Sequence, residues 1–377
     1  MSELPVSIQD VETPCLLVDI DRVKANCRRM RDRCTEMGVE LRPHMKTHKT
    51  LEGAELMTDG SKRKIVVSTV AEAEFFAGNG YDDIIYASPM VKEKLTKRVQ
   101  SLASRLADFH LMVDSVVGID GIIETPLDGD RKWSVFVEID CNYGRTGCCW
   151  DSEDVLTICK KAHEAANIRF QGLYNHCGNT YVPDTDKRSK IQHETVANLM
   201  AVKERLAAAG IPCARFGCGS TPSCSKPIQD MSMLTEFHPG NYIFYDYMQV
   251  CVGSCSLDDI AVKVAATVIS HKPEVGTLVT DCGWLAIGQD GMEREPSDVP
   301  LGYTPVVGHP ELRVRGMTQE IGKFEGNGVA IDYSKYPLGS RLYLYPFHSC
   351  LTAAQHPVYY VHSGDKIIGS WTPIRGW

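Results

Sequence analysis

The sequence predicts an α/β protein built as an N-terminal (β/α)8 TIM-type barrel followed by a C-terminal antiparallel β-domain. Three observations predict it. Short, almost wholly apolar runs alternate with helix-period segments through residues 12–254, the pattern of a parallel sheet covered by helices. About eight such units fit that length, which is the usual size of this barrel. From residue 255 onward the segments become short, β-branched or aromatic, with Gly, Pro and Asp turns between them. A doubly wound open sheet is the alternative. The lack of a Gly-x-Gly-x-x-Gly turn after the first strand weakens it.

The elements follow in order. Residues 13–19 read as the first strand, and Asp19 or Asp21 caps a helix with apolar positions Val23, Cys27, Met30, Cys34 and Met37. Gly38 stops it. The strand through Leu41 ends at Pro43, which has no N–H to give. Residues 64–68 form the next strand, and Thr69 with Glu72 makes a capping-box pattern opening a helix through Phe76. Strands at 83–87, 110–114, 133–140, 170–176, 214–217 and 236–238 continue the alternation, with helices at 154–166 and 189–209. In the C-terminal domain, expected to include residues 1–11, strands are expected at 260–271, 276–284, 312–318, 328–331, 341–345 and 358–361, without helices between them.

A chain of 377 residues suits two domains. Hydrophobic content of 43% and charged content of 23% are those of a soluble globular protein. The net charge of −8 and the lack of a long basic run argue against nucleic acid as a partner. No apolar stretch approaches a membrane span, and the N-terminus has no signal-peptide pattern. Several of the 15 cysteines, among them Cys15, Cys27, Cys34 and Cys159, lie inside apolar runs. Buried thiols in a reducing compartment account for them, so a cytoplasmic location is expected.

The chemistry is expected at Arg42-Pro43-His44-Met45-Lys46-Thr47-His48-Lys49. On an extended chain His44, Lys46 and His48 face one way at a strand's carboxyl end, where barrels keep their catalytic groups. A desolvated lysine among positive charge can become a nucleophile or Schiff-base former. The competing reading is a solvated basic turn. Asp140, Asn142 and Arg145 mark another strand-to-loop turn, with Arg145 open to either a salt bridge or a ligand role. Two turns, Gly217-Cys218-Gly219-Ser220-Thr221-Pro222 and His238-Pro239-Gly240-Asn241-Tyr242, offer backbone donors for a phosphate near the last strands. Each is weak alone. Opposite a reactive lysine, they point together to pyridoxal phosphate.

These motifs, with His176-Cys177-Gly178-Asn179-Thr180-Tyr181 and His348-Ser349-Cys350, run in order through nearly the whole chain. The set resembles the eukaryotic-type D-serine dehydratases, relatives of D-threonine aldolases and alanine racemases. The resemblance implies a fold-type III pyridoxal phosphate enzyme and a homodimer. It implies that Lys46 carries the cofactor, that Gly219, Ser220, Thr221, Gly240 and Asn241 form the phosphate cup, and that Tyr174, His176 and Tyr181, with Arg145, contact the cofactor. Where alanine racemases place an arginine facing the pyridine nitrogen, this chain has His238.

His348 and Cys350, two apart after a strand, would face one side and suit Zn²⁺ with positions left for water or substrate. By itself His-x-Cys also packs well in cores. D-threonine aldolases carry an aspartate in place of Cys350, and a thiolate favours zinc over harder ions. The implied reaction is zinc-assisted β-elimination of a D-amino acid, D-serine to pyruvate and ammonia. Retro-aldol cleavage of D-threonine-like substrates, dehydration of a D-3-hydroxyaspartate, racemisation and a non-enzymatic cofactor carrier are the alternatives.

Overall fold

The computed structural model describes residues 4–295 and 298–377; residues 1–3 of the segment expected to join the β-domain lie outside them. The chain opens with β1 (Cys15–Asp19) and the helix Ile20–Met37. Asp19 Oδ1 accepts the N–H groups of Asp21 and Arg22 at 3.0 and 3.2 Å, as an N-cap should. Val23, Cys27, Met30 and Cys34 form the buried stripe that their spacing requires.

Next come β2 (Glu40–Leu41), β3 (Ile65–Val67), β4 (Asp83–Pro89), β5 (Asp108–Val113), β6 (Trp133–Asp140), β7 (Cys148–Cys149), β8 (Ile168–Asn175), β9 (Arg215–Cys218) and β10 (Glu236–Phe237). Their order is β2-β10-β9-β8-β6-β5-β4-β3, with β7 beside β6 and helices between successive strands except β6 and β7. Every pairing is parallel. A parallel bridge also joins His44, three residues beyond β2, to Val66 in β3, and the Val66 N–H donates to the Pro43 carbonyl at 2.9 Å, so the sheet is curled. Val66, Ile85, Met112, Phe136 and Tyr174, one from each of five neighbouring strands, pack into one buried cluster. Each such side chain contributes about 1.5–3 kcal/mol of burial.

A chain of buried polar groups crosses the same sheet. Arg42, fully buried, sets Nη1 2.5 Å from Asp83 Oδ1 and Nε 3.2 Å from Glu236 Oε2. Asp83 also bonds His110 Nε2 at 3.2 Å, and His110 Nδ1 bonds Ser134 Oγ at 2.7 Å. At the other end Glu236 Oε1 bonds His238 Nε2 at 3.0 Å. Buried charges persist in proteins only when paired in this way.

The second sheet comprises β1 with β11 (Val262–Lys272), β12 (Thr277–Thr280), β13 (Leu312–Met317), β14 (Gly322–Gly326), β15 (Arg341–Leu344), β16 (Tyr359–Ser363) and β17 (Lys366–Trp371). Its order is β13-β14-β12-β11-β1-β16-β17, with β15 on β11. All pairings are antiparallel except β1 with β16. The chain thus divides into one unit of the residues up to Arg28 with Asn241–Pro373 and another of Arg29–Gly240 with Ile374–Trp377. The boundaries expected at 12 and 254 move, because the strand read as the barrel's first pairs here instead. Cys15 and Leu17 bury against Ile8, Val11, Ala265 and Ile367. A strand covered on both faces is apolar throughout in either kind of sheet, so periodicity does not assign it.

Three smaller differences concern this unit. Residues 328–331 form no strand, while β14 lies just before them, and β17 has no counterpart in the expected list. A helix, Ser349–Gln355, occupies a segment where only strands were expected. No disulfide joins any of the cysteines, and those expected inside apolar runs are buried. Among the described residues no helix is long and apolar enough to cross a membrane.

Candidate active site

Lys46 stands just beyond β2 on a 3-10 turn, Met45–Thr47, capped by His44, whose Nδ1 accepts the Lys46 N–H at 3.3 Å. That turn replaces the extended geometry expected of the segment. His44 and Lys46 still face one cavity, but His48 turns inward, fully buried, with Nδ1 accepting the Thr50 N–H at 3.1 Å. Burial draws His48 down to about 3, so it is a neutral structural group.

The cavity, about 180 Å³, is lined by polar groups from several strand ends, including Ser68, Glu138, Thr146 and the expected Arg145, Tyr174 and His176. Burial, then Lys46, holds His44 well below the ordinary imidazole value. Burial, Arg145 and Lys46 bring His176 down to about 3, and its Nδ1 bonds the Gly219 carbonyl at 3.0 Å. Both imidazoles are therefore neutral hydrogen-bonding groups beside the amine. Arg145, half exposed, lies 3.7 Å from Glu138 Oε1. The Tyr174 ring stacks on His238, centroids 4.3 Å apart and planes 6° from parallel. Tyr181 closes the turn Gly178–Thr180 and lies outside the lining.

Of the glycine turns, Gly219-Ser220-Thr221 follows β9. Ser220 caps the short buried helix Thr221–Ser225 by reciprocal bonds with Ser223 at 3.2 and 3.1 Å. The Gly219 N–H donates to the Asn175 carbonyl at 3.3 Å, so part of the turn's donor capacity is used within the protein. Gly240 packs against the lysine-bearing segment: a Cβ there would fall 2.9 Å from the His44 carbonyl oxygen.

In the β-rich unit His348 caps the helix Ser349–Gln355 and Cys350 lies in its first turn, so a helix start, and not strand alternation, brings them together. The two side chains are within hydrogen-bonding reach. His348 Nδ1 bonds Asp290 Oδ2 at 2.6 Å, leaving Nε2 for a metal. Asn241, expected at the phosphate, directs its side-chain amide to Asp246 at 2.6 Å, Ser349 Oγ at 2.8 Å and Cys350 Sγ at 3.7 Å. Asp246 also accepts the Ser349 N–H at 2.9 Å. Among the described residues no group of three His, Cys, Asp or Glu side chains is arranged to hold a metal. His348 and Cys350 form a pair that could offer a metal two ligands.

Sequence reasoning missed Glu138, Asp246 and Asp290. Glu138 lies within the apolar strand β6, near its carboxyl end, and lines the cavity almost fully buried, with Oε2 unpartnered. Burial raises it to about 7 against the Thr146 hydroxyl and Arg145. A charged residue inside an apolar run was the available signal. Asp290 lies in a loop far along the chain from His348, and nothing local marks it.

Residues 18–248 match the family model for the alanine racemase N-terminal domain, and 261–362 match that for a putative serine dehydratase domain. The D-serine dehydratase of Dictyostelium discoideum is 35% identical over the full length of both chains. This chain belongs to the D-serine dehydratase family. It is therefore an enzyme, a pyridoxal phosphate-dependent lyase of D-amino acids. Within the family's relatives, the D-threo-3-hydroxyaspartate dehydratase of Delftia sp. is 33% identical over 97% of this chain and 98% of its own. The solved structure of that enzyme superposes with a TM-score of 0.90 over 99% of this chain and 100% of its own. A cysteine-to-alanine variant of it was solved in a metal-free form. An alanine racemase from Clostridium difficile, 13% identical with a TM-score of 0.68, shares the fold, a curled parallel α/β sheet joined to an antiparallel one.

Proposed function

We propose that the chain is a zinc-assisted D-serine dehydratase with Lys46 as the residue that carries pyridoxal phosphate. One observation carries the reading: Lys46 lines a polar cavity flanked by two neutral imidazoles, an arginine and a buried carboxyl with an unpartnered oxygen. That lining fits a polar, anionic cofactor. Lys46 would hold it covalently. The backbone of Gly219–Thr221 and Gly240 is assigned to its phosphate, and Arg145, Tyr174 and His176, which line the cavity, to its ring and substituents. His348 and Cys350 fit zinc, as a soft thiolate with an imidazole should.

When bound, the cofactor supplies an electron sink for charge developing at Cα, and zinc a Lewis acid for the departing hydroxyl. The chain's own groups do the rest. The Lys46 amine, on the wall of the cavity, would serve as the base that takes the Cα proton. His44 fixes the turn bearing Lys46 through its bond to the Lys46 N–H. His176, kept neutral, adds no competing charge beside that amine. Tyr174, held by its stack on His238, forms a flat wall.

The parallel unit supports a closed (β/α)8 barrel, since eight strands follow one path and the His44–Val66 bridge joins its ends. A cytoplasmic homodimer completes the reading, and light scattering of the purified protein tests the dimer. Dehydration of a D-3-hydroxyaspartate is the second reading. The 33% identity to the Delftia enzyme favours it, and Arg145 could pair with a second substrate carboxylate. Borohydride reduction with peptide mapping is expected to label Lys46, and D-serine is expected to give pyruvate in a zinc-dependent manner. Label elsewhere, or glycine and an aldehyde as products, overturns the assignment.

A further inference from the structure

Asp290 has no part in the reading so far, yet its placement is over-determined. It lies in a loop between two glycines, Gly288 at φ +88 and Gly291 at φ +91, both in the left-handed region that favours glycine. A Cβ on Gly288 would fall 2.8 Å from the Leu351 side chain, and one on Gly291 would fall 2.5 Å from the Phe347 ring. Phe347 and Leu351 are the residues immediately outside His348 and Cys350. The Tyr303 hydroxyl donates to the Gly288 carbonyl, and the Thr352 hydroxyl donates to the Ile287 carbonyl at 2.6 Å. The loop is therefore pressed against the turn bearing His348 and Cys350 on both sides of Asp290. At that point Asp290 Oδ2 meets His348 Nδ1 at 2.6 Å.

We propose that Asp290 is the positioning residue of the zinc site: it accepts the Nδ1–H of His348, fixes the tautomer with Nε2 unprotonated, and sets the ring plane for the metal. The inference rests on the zinc reading above and extends it to a residue outside the ligand pair. Asp290 is about half exposed, so solvent screens its charge and orientation is its main contribution. With two protein ligands, each must be held in place, because no third ligand corrects a rotated ring. Carboxylate partners of metal-bound histidines are worth roughly 10–100-fold in metal affinity.

The test uses the full-length, cofactor-loaded protein, with zinc as the probe. Zinc affinity is measured by competition with a chromophoric chelator, alongside cofactor absorbance and thermal unfolding of the zinc-free form. Asp290→Ala is expected to lose roughly 10–100-fold in zinc affinity, with cofactor absorbance and zinc-free unfolding unchanged. Asp290→Asn, which keeps an acceptor oxygen, is expected to recover part of the loss. Gly291→Ala, which moves the loop, is expected to weaken zinc binding, and the double variant Asp290→Ala/Gly291→Ala to be no weaker than Asp290→Ala alone. Asp290→Ala binding zinc as tightly as the unaltered protein overturns this proposal alone. If the unaltered protein binds no zinc, or His348→Ala binds it equally well, the zinc reading itself falls and this proposal with it.

Discussion

The rings of Tyr174 and His238 lie parallel, 4.3 Å apart, and the Nε2 of that histidine is bonded to Glu236 at 3.0 Å. Through this stack a wall of the Lys46 cavity is tied to the buried chain of Glu236, Arg42, Asp83 and His110. The polar interior thus positions a site residue without lining the cavity itself. Replacing any link should be felt in stability, and through Tyr174 in cofactor binding.

Arg42 bridges two buried carboxylates, Asp83 and Glu236. Burial alone would raise both. His110 and Arg42 outweigh it for Asp83, and Arg42 and His238 for Glu236, so both stay well below the usual carboxylate range. Arg42→Met is expected to cost about 3–5 kcal/mol, because it leaves buried charge unpaired. A depressed carboxyl stabilises the fold above its unfolded pKa and loses that contribution on acidification. In the variant the depression is relieved, so its deficit should hold above about 4, the unfolded carboxylate value, and shrink as pH falls below it. Urea unfolding at several pH values checks both expectations, and a pH-independent deficit contradicts the second.

Glu138 gives the opposite sign. Burial raises it from 4.5 to about 7. A carboxyl raised in the folded state stabilises folding while protonated; that contribution is complete below about 4.5 and lost as pH rises through about 7. Glu138→Gln has no proton to lose. From pH 5 to 8 the cofactor-free variant should gain about 2–3 kcal/mol on the wild type, whatever their offset at low pH. Parallel unfolding-stability curves would contradict this.

Asp246 gathers the Asn241 amide, the Ser349 hydroxyl and N–H, and the Gln249 N–H around one fully buried carboxyl. Asp246→Ala leaves these donors without their acceptor, at about 1–3 kcal/mol for each that finds no other. Loosening of the Ser349–Gln355 helix start should also weaken zinc binding. Denaturant unfolding and zinc competition measure the two effects, and a stable variant with unchanged zinc affinity would remove Asp246 from the account.

Much of this was legible where local chemistry decides. The Asp19 cap, the Thr69 cap and the apolar stripe of the first helix follow from short-range rules, and all form. The strand end at Pro43 placed Lys46 just beyond β2, where it lines the cavity, although a 3-10 turn then sent His48 away from it. What escaped depends on pairing at long range. The apolar run at Cys15–Asp19 does not reveal its neighbours, and Asp83, Glu236 and Asp290 reach their partners only through the fold. His348 and Cys350 were singled out through the family resemblance, with a spacing read as strand alternation, but a helix start brings them together.

The central position of β1 has a consequence for synthesis. This strand leaves the ribosome before both of its partners, β11 and β16, which are encoded at Val262–Lys272 and Tyr359–Ser363. A nascent chain that has completed Gly240 can assemble the parallel sheet while an apolar, β-prone segment waits without its ladder. Such an unpaired edge invites aggregation. Termination between Gly240 and β16 would therefore yield a sticky product even with its larger unit already folded, and the cell's chaperones have most reason to attend to β1.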